Sequence, residues 1–134
     1  MSHSTHSRNR EFIRRCMAYQ LDEARRGRAL TADMIVGHVL AGRAPVYYVD
    51  FYRAKAILSR ALADNREPRG TYDGPRRQWA DMYRDLCDMI ARNPDRPLDN
   101  MIMQLCVGNA GQPRFYITRR RAMQILRQHI NENL

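Results

Sequence analysis

A run of three arginines follows a helix-capping residue near the end of the chain. Thr118 is succeeded by Arg119, Arg120 and Arg121, and Arg127 follows further along. A threonine hydroxyl can cap the first amides of a helix, so we expect the run to occupy a first helical turn. A cation there faces the positive end of the helix dipole, at a cost of roughly 0.3 to 1 kcal/mol in low salt. A bound phosphate would offset that cost, because free amides and guanidinium groups together are good phosphate ligands.

The residues around this run add to the basic character. Between positions 100 and 131 the chain contains no aspartate or glutamate. An exposed Tyr116 beside Arg114 could stack on a base of a single strand. A glycine- and proline-containing linker contributes further arginines. The candidate nucleic-acid-binding residues are Arg114, Arg119, Arg120, Arg121, Arg127, Arg69, Arg76, Arg77, Tyr116 and Thr118.

Two simpler interpretations of these residues stay open. The arginines can form a solvated face, paired with Asp81, Asp85 or Asp88 of a preceding helix. A tyrosine in an extended segment can cover a small core, and then its ring is not available to a base. In an extended segment one residue of each aromatic pair should be buried and its neighbour exposed, because alternate side chains point to opposite faces.

The overall charge supports a polyanionic partner. The chain has 134 residues and a net charge of +9, and Lys55 is the single lysine among its 23 basic residues. A GC-rich genome also favours arginine over lysine, but it does not explain the excess of positive over negative charge. That excess attracts nucleic acid, either DNA or RNA, through a long-range field. An acidic protein partner is the alternative.

No enzyme signature is present in the sequence. It lacks a nucleophile elbow, a glycine-rich phosphate loop, a zinc-protease motif and a paired-cysteine motif. We therefore expect no catalytic residue, no metal and no cofactor. Three widely spaced cysteines, Cys16, Cys87 and Cys106, are interpreted as buried reduced thiols, and His38 as a core histidine. Without an apolar leader or a run long enough for a membrane span, the expected location is the cytoplasm.

An internal repeat indicates how the elements are arranged. The segment from Pro45 to Asp50 recurs 68 residues later from Pro113 to Thr118, and each copy is followed by an Ala/Ile/Leu pattern of helical spacing. In each copy a proline precedes aromatic and β-branched residues, which favour extended backbone. We interpret the chain as a tandem duplication, with extended segments that can pair as a small two-stranded ribbon.

The predicted fold is mainly α-helical, with two pseudo-symmetric three-helix halves. Residues 1–8 are expected to be a flexible tail, 9–64 the first repeat, 65–76 a basic linker and 77–134 the second repeat. Thr31, Asp50, Asp99 and Thr118 are the predicted helix caps, and Gly27 is a predicted helix stop. The chain is expected to be a monomer or a homodimer. The leading hypothesis is a non-enzymatic protein that binds nucleic-acid phosphates, and the alternative is an interaction module for an acidic protein.

Overall fold

The computed structural model describes residues 3–68, 77–108 and 110–133, and this part of the chain is mainly helical. It contains six α-helices and no β-strand, which confirms the predicted helical class. No helix in these ranges is both long enough and apolar enough to cross a bilayer. The helices are α1 (His3–Arg25), α2 (Ala32–Ala41), α3 (Phe51–Asp64), α4 (Arg77–Arg92), α5 (Leu98–Val107) and α6 (Arg119–Glu132).

Three predicted N-caps are confirmed. The Thr31 hydroxyl accepts a hydrogen bond from the Met34 amide at 3.2 Å, which opens α2. The Asp50 carboxylate accepts from the Arg53 amide at 3.1 Å at the start of α3. The Thr118 hydroxyl accepts from the Arg121 amide at 3.2 Å at the start of α6. Each bond satisfies one of the amides that have no partner within the helix, so these caps fix where the chain turns into helix.

The end of α1 is also as predicted. Gly27 has a φ of +77°, a conformation that glycine adopts without a steric penalty. The Arg28 amide donates to the Glu23 carbonyl at 2.9 Å and the Gly27 amide to the Ala24 carbonyl at 3.0 Å. These are the two hydrogen bonds of a Schellman motif, which satisfies the last carbonyls of the helix.

The structure differs from expectation at two helix starts. Helix α1 begins at His3, so residues 3–8 of the predicted flexible tail are helical, because adding turns to an existing helix costs little compared with nucleation. Helix α5 begins at Leu98 after Pro97, with no side-chain cap. Asp99 is therefore not a cap, and its carboxylate instead accepts from the Lys55 ammonium at 2.9 Å.

The chain divides into two compact units of three helices each. Unit 1 comprises residues 1–43 and 117–134, and unit 2 comprises residues 44–116. Within unit 1, α6 packs on α1 and α2; within unit 2, α3 packs on α4 and α5. Each unit thus combines two helices of one predicted repeat with the third helix of the other. The predicted repeats, 9–64 and 77–134, and the duplication itself stay a prediction.

Unit 2 contains the first proline-aromatic segment and the second one as far as Tyr116. Their backbones do not form a strand pair in the described residues, so the two-stranded ribbon is not confirmed. The segments meet through side chains instead: Tyr47 stacks on Tyr116 with ring centroids 6.0 Å apart, and Tyr48 on Phe115 at 6.5 Å. Tyr47 and Tyr116 belong to a core that also includes Leu58, Met82, Leu86, Ile102 and Leu105.

Candidate basic binding site

The positive charge of the protein is concentrated in unit 1. Its sequence ranges carry twelve arginines against five carboxylates, a net charge of +7, whereas the ranges of unit 2 carry eleven basic residues against nine carboxylates, a net charge of +2. Of the predicted binding residues, unit 1 holds Thr118, Arg119, Arg120, Arg121 and Arg127. We therefore consider unit 1 as the candidate site.

The first turn of α6 contains the three consecutive arginines and no acidic residue. Arg119 has a partner within the unit: its guanidinium donates to the backbone carbonyl and to the carboxylate of Asp33, both at 3.2 Å. Both side chains are more than half exposed, so the pair contributes at most about 1 kcal/mol to stability. The electrostatic cost of this arginine at the helix N-terminus is therefore partly offset inside the protein.

Arg120 and Arg127 have a different environment from Arg119. Both are exposed, and no ion pair involves either of them within the described residues. They lie seven positions apart on α6, which is two turns and about 10 Å along the helix axis. Two unneutralised guanidinium groups on one side of a helix are suited to contacting separate phosphates of one backbone.

A groove between α1 and α6 continues this basic surface. It has a volume of about 320 Å³, and Arg10 and Arg121 line its opposite walls. Arg121 also lies near Arg8, and partial burial together with the charge of Arg121 lowers the pKa of Arg8. Glu132 is the one carboxylate in the groove, and it accepts a hydrogen bond from Gln128 at 3.0 Å. Positive charge thus exceeds negative charge along this face of unit 1.

A second pocket lies between α1 and α2, and sequence reasoning did not find it. Its volume is about 430 Å³, and its lining includes Arg14, Arg15, Arg43, Tyr19 and His38. The prediction that His38 is a core histidine is wrong. The imidazole is exposed and stacks on the Tyr19 ring, with centroids 3.7 Å apart and planes inclined by 5°. The spacing of residues along α2 gave no signal of this, because Tyr19 is on another helix.

The remaining predicted site residues belong to unit 2 or to undescribed positions. Arg114 is exposed in unit 2, and Arg77, at the start of α4, has its Nε 3.8 Å from the Asp81 carboxylate. Arg69 and Arg76 lie outside the described residues. The structure therefore brings together the α6 arginines and those of α1, while Arg114 and Arg77 are part of the other compact unit.

The predicted role of Tyr116 as a stacking platform is wrong. Its side chain is 7% exposed, and its hydroxyl donates to the Asp81 carboxylate at 2.7 Å. Phe115 is also buried, at 1% exposed, so burial and exposure do not alternate here. The physical reason is a φ of +53° at Tyr116, which departs from extended backbone and turns its side chain to the same interior as Phe115.

Two of the three carboxylates proposed as arginine partners bind tyrosine hydroxyls, and Asp81 also lies within salt-bridge distance of Arg77 and Arg84. Asp85 accepts a hydrogen bond from the buried Tyr47 hydroxyl and another from the Gln112 amide, the latter at 2.8 Å. Asp81 accepts from Tyr116. Within unit 2, two of the three aspartates proposed as arginine partners therefore anchor tyrosines.

The cysteines form no reactive site in the described structure. Cys16 and Cys106 are buried, as predicted, and burial raises the pKa of Cys16 to about 12 and that of Cys106 to about 11. Both thiols are thus protonated and poor nucleophiles at neutral pH. Cys87 is only half-buried, unlike the prediction. No group of three potential metal ligands occurs in the part of the chain that the structure describes.

A comparison of this chain with protein-family models, curated proteins and solved structures gives no match.

Proposed function

We propose that the protein binds nucleic acid through the basic surface of unit 1, without catalysing a reaction on it. The observation that carries the proposal is the uneven distribution of charge, with twelve arginines against five carboxylates in unit 1. Such a surface attracts a polyanion, and each phosphate contact releases condensed counterions from the nucleic acid. The planar guanidinium group favours phosphate, because it donates two parallel hydrogen bonds.

The proposed contact residues are those whose charge is least compensated. Arg120 and Arg127 lie exposed on α6, and Arg121 lines the groove beside Arg10. Arg119 has a smaller part, because its guanidinium is already bound to Asp33. Phosphate contacts specify no base, so this surface supports binding with little sequence preference.

A binding titration at several salt concentrations tests this proposal. The test variant replaces Arg120, Arg121 and Arg127 by alanine, and labelled DNA and RNA are the probes. On duplex DNA each phosphate contact contributes about 0.9 to the slope of log affinity against log salt concentration. One contact therefore makes the affinity at 0.1 M salt about eightfold higher relative to 1 M salt. We expect the triple variant to bind more weakly and to have a slope shallower by about 2 to 3 units.

A matched control removes the same charge from unit 2. Arg60, Arg66 and Arg92 are exposed, and their replacement by alanine also lowers the net charge by three. We expect this control to keep most of the affinity and the salt slope. Equal losses in the two variants would show that net charge, and not the unit 1 surface, determines binding. Failure of the wild-type protein to bind any DNA or RNA at low salt would reject the function.

An interaction module for an acidic protein is the second candidate. Exposed apolar side chains on unit 2 favour it: Tyr52 on α3 is 78% exposed and Val107 on α5 is 71% exposed. These two helices pack against each other, and large exposed apolar side chains are typical of protein contact surfaces. Binding to a purified acidic protein that is lost in a Tyr52→Ser and Val107→Ser variant would support this candidate over nucleic acid.

A further inference from the structure

The pocket between α1 and α2 combines two features that nucleotides recognise. One is a flat aromatic surface made by Tyr19 and His38, whose rings are stacked and nearly parallel. The other is a set of three arginines, Arg14, Arg15 and Arg43, around the same cavity. Its volume of about 430 Å³ lies within the usual range for small-ligand sites.

The aromatic pair offers a ring face to a ligand. His38 is exposed, and it is held against Tyr19 at a centroid distance of 3.7 Å. This contact restrains the imidazole before any ligand arrives, so little rotamer entropy remains to be lost on binding. A nucleobase stacking on the outer face of His38 would extend the existing stack by one ring.

The arginines around the stack are only partly neutralised. Arg14 and Arg15 share one carboxylate, that of Glu11, with Nε–Oε distances of 2.9 and 3.0 Å. These hydrogen bonds are the main reason that the pKa of Glu11 is lowered. Arg43, which also lines the pocket, forms no ion pair within the described residues.

One hydrogen bond holds the two walls of the pocket together. The Arg15 guanidinium donates from Nη1 to the Arg43 carbonyl at 3.1 Å, which connects α1 to the residue just after α2. This contact positions the Arg43 backbone at the rim. The stacked rings and the cations therefore lie on elements held in place by packing of α1 on α2.

We propose that this pocket binds one nucleotide of a single-stranded nucleic acid, with the base stacked on His38 and the flanking phosphates contacting Arg14, Arg15 and Arg43. The proposal rests on the proposed function and adds a preference for single strands to it. In a duplex, each base is covered by its neighbours and cannot stack on a protein ring, whereas an unpaired base can. The pocket would therefore distinguish single-stranded from duplex nucleic acid, which the arginines alone would bind equally.

The test compares His38→Ala with the wild-type protein on single-stranded and duplex probes of about 12 nucleotides, in DNA and in RNA. Loss of one base–aromatic stack should weaken single-strand binding about 5- to 20-fold, at the low end of the usual range because Tyr19 keeps its ring. Duplex affinity should change less than about twofold. His38→Phe, which keeps a ring but cannot carry a charge, should retain single-strand binding.

Gln20→Ala is the control, because Gln20 is exposed on α1, the helix that carries Tyr19, but does not line the pocket. It should bind both kinds of probe as the wild-type protein does. Unchanged single-strand affinity in His38→Ala, or equal losses on single strands and duplexes, would overturn the proposal. So would weak single-strand binding by His38→Phe, which would assign the effect to charge and not to stacking. If the wild-type protein binds no probe, the proposed function fails as well.

Discussion

Replacing Asp85 by alanine should destabilise unit 2 strongly, although the residue is only half-buried. The carboxylate accepts hydrogen bonds from the Tyr47 hydroxyl and from the Gln112 amide. Tyr47 is fully buried, so its hydroxyl depends on acceptors within the protein, and Asp85 is the charged one among them. An unsatisfied buried hydroxyl costs about 1 to 3 kcal/mol, and the loss of the more exposed Gln112 bond adds about 0.5 to 1.5 kcal/mol. The expected loss of unfolding free energy is about 2 to 4 kcal/mol.

Urea unfolding followed by tryptophan fluorescence measures this loss directly. Trp79 is the only tryptophan of the chain, and it packs against the core of unit 2, with the Arg53 guanidinium 5.6 Å from its ring centroid. Its emission therefore reports on the unit that contains Asp85. The control is Asp88→Ala, which removes an exposed carboxylate from the same helix and should change stability by less than about 0.5 kcal/mol.

Asp85→Asn refines the comparison. The side-chain amide of the new asparagine keeps one acceptor oxygen but not the negative charge. The unfolding free energy of the Asp85→Asn variant should therefore lie between those of Asp85→Ala and the wild-type protein. Equal stabilities of Asp85→Ala and Asp88→Ala would refute the reasoning, because they would show that the Tyr47 hydroxyl finds another partner at no cost.

Three further outcomes are expected from the same structure. Burial, and then the hydrogen bond to Asp85, raises the pKa of Tyr47, so its contribution to stability is present below about pH 10 and falls by about 1.4 kcal/mol per pH unit above it. In alkaline unfolding titrations Tyr47→Phe should make the slope shallower by that amount, and the remaining slope comes from Tyr116, Cys16 and Cys106, whose pKa values burial also raises. Gly111→Ala should lower the free energy of unfolding in urea by about 2 to 4 kcal/mol, because the φ of Gly111 is +74° and the new Cβ would meet the Asp85 carboxylate. Gly27 has a similar φ but open space around it, so Gly27→Ala should cost about 1 kcal/mol. Thr118→Ala should lower stability by about 1 kcal/mol in thermal unfolding monitored by circular dichroism, and Thr118→Ser should not.

Local features of the structure were well predicted from the sequence. The caps at Thr31, Asp50 and Thr118 and the stop at Gly27 were identified, because each depends on a side chain or a backbone conformation within a few residues. The apolar stripe of α4, which includes Trp79, Met82 and Leu86, likewise follows helical periodicity and packs in the core of unit 2. Its member Leu86 is fully buried.

Long-range features could not be predicted in the same way. The placement of α6 in unit 1 and of α3 in unit 2 depends on which helices pack together. The helical periodicity of each sequence would be the same if it packed on the helices of the other unit. The stack of His38 on Tyr19 joins two helices, and the buried Tyr116 contacts Asp81 and Tyr47, which are both far away in sequence. As a result, the sequence identified the basic cluster of α6, but it gave no indication that Tyr116 is buried or that His38 stacks on Tyr19.

The division of the helices between the two units also determines the order in which the units can fold during translation. Unit 2 is one continuous stretch, residues 44–116, whereas unit 1 needs residues 117–134 in addition to 1–43. A growing chain leaves the ribosome from its N-terminus, so α3, α4 and α5 can pack while α1 and α2 still lack α6. The most positively charged unit is therefore the last to be assembled. A nascent chain would present its N-terminal arginines on an unfinished surface, and the complete surface would form only after α6 has emerged.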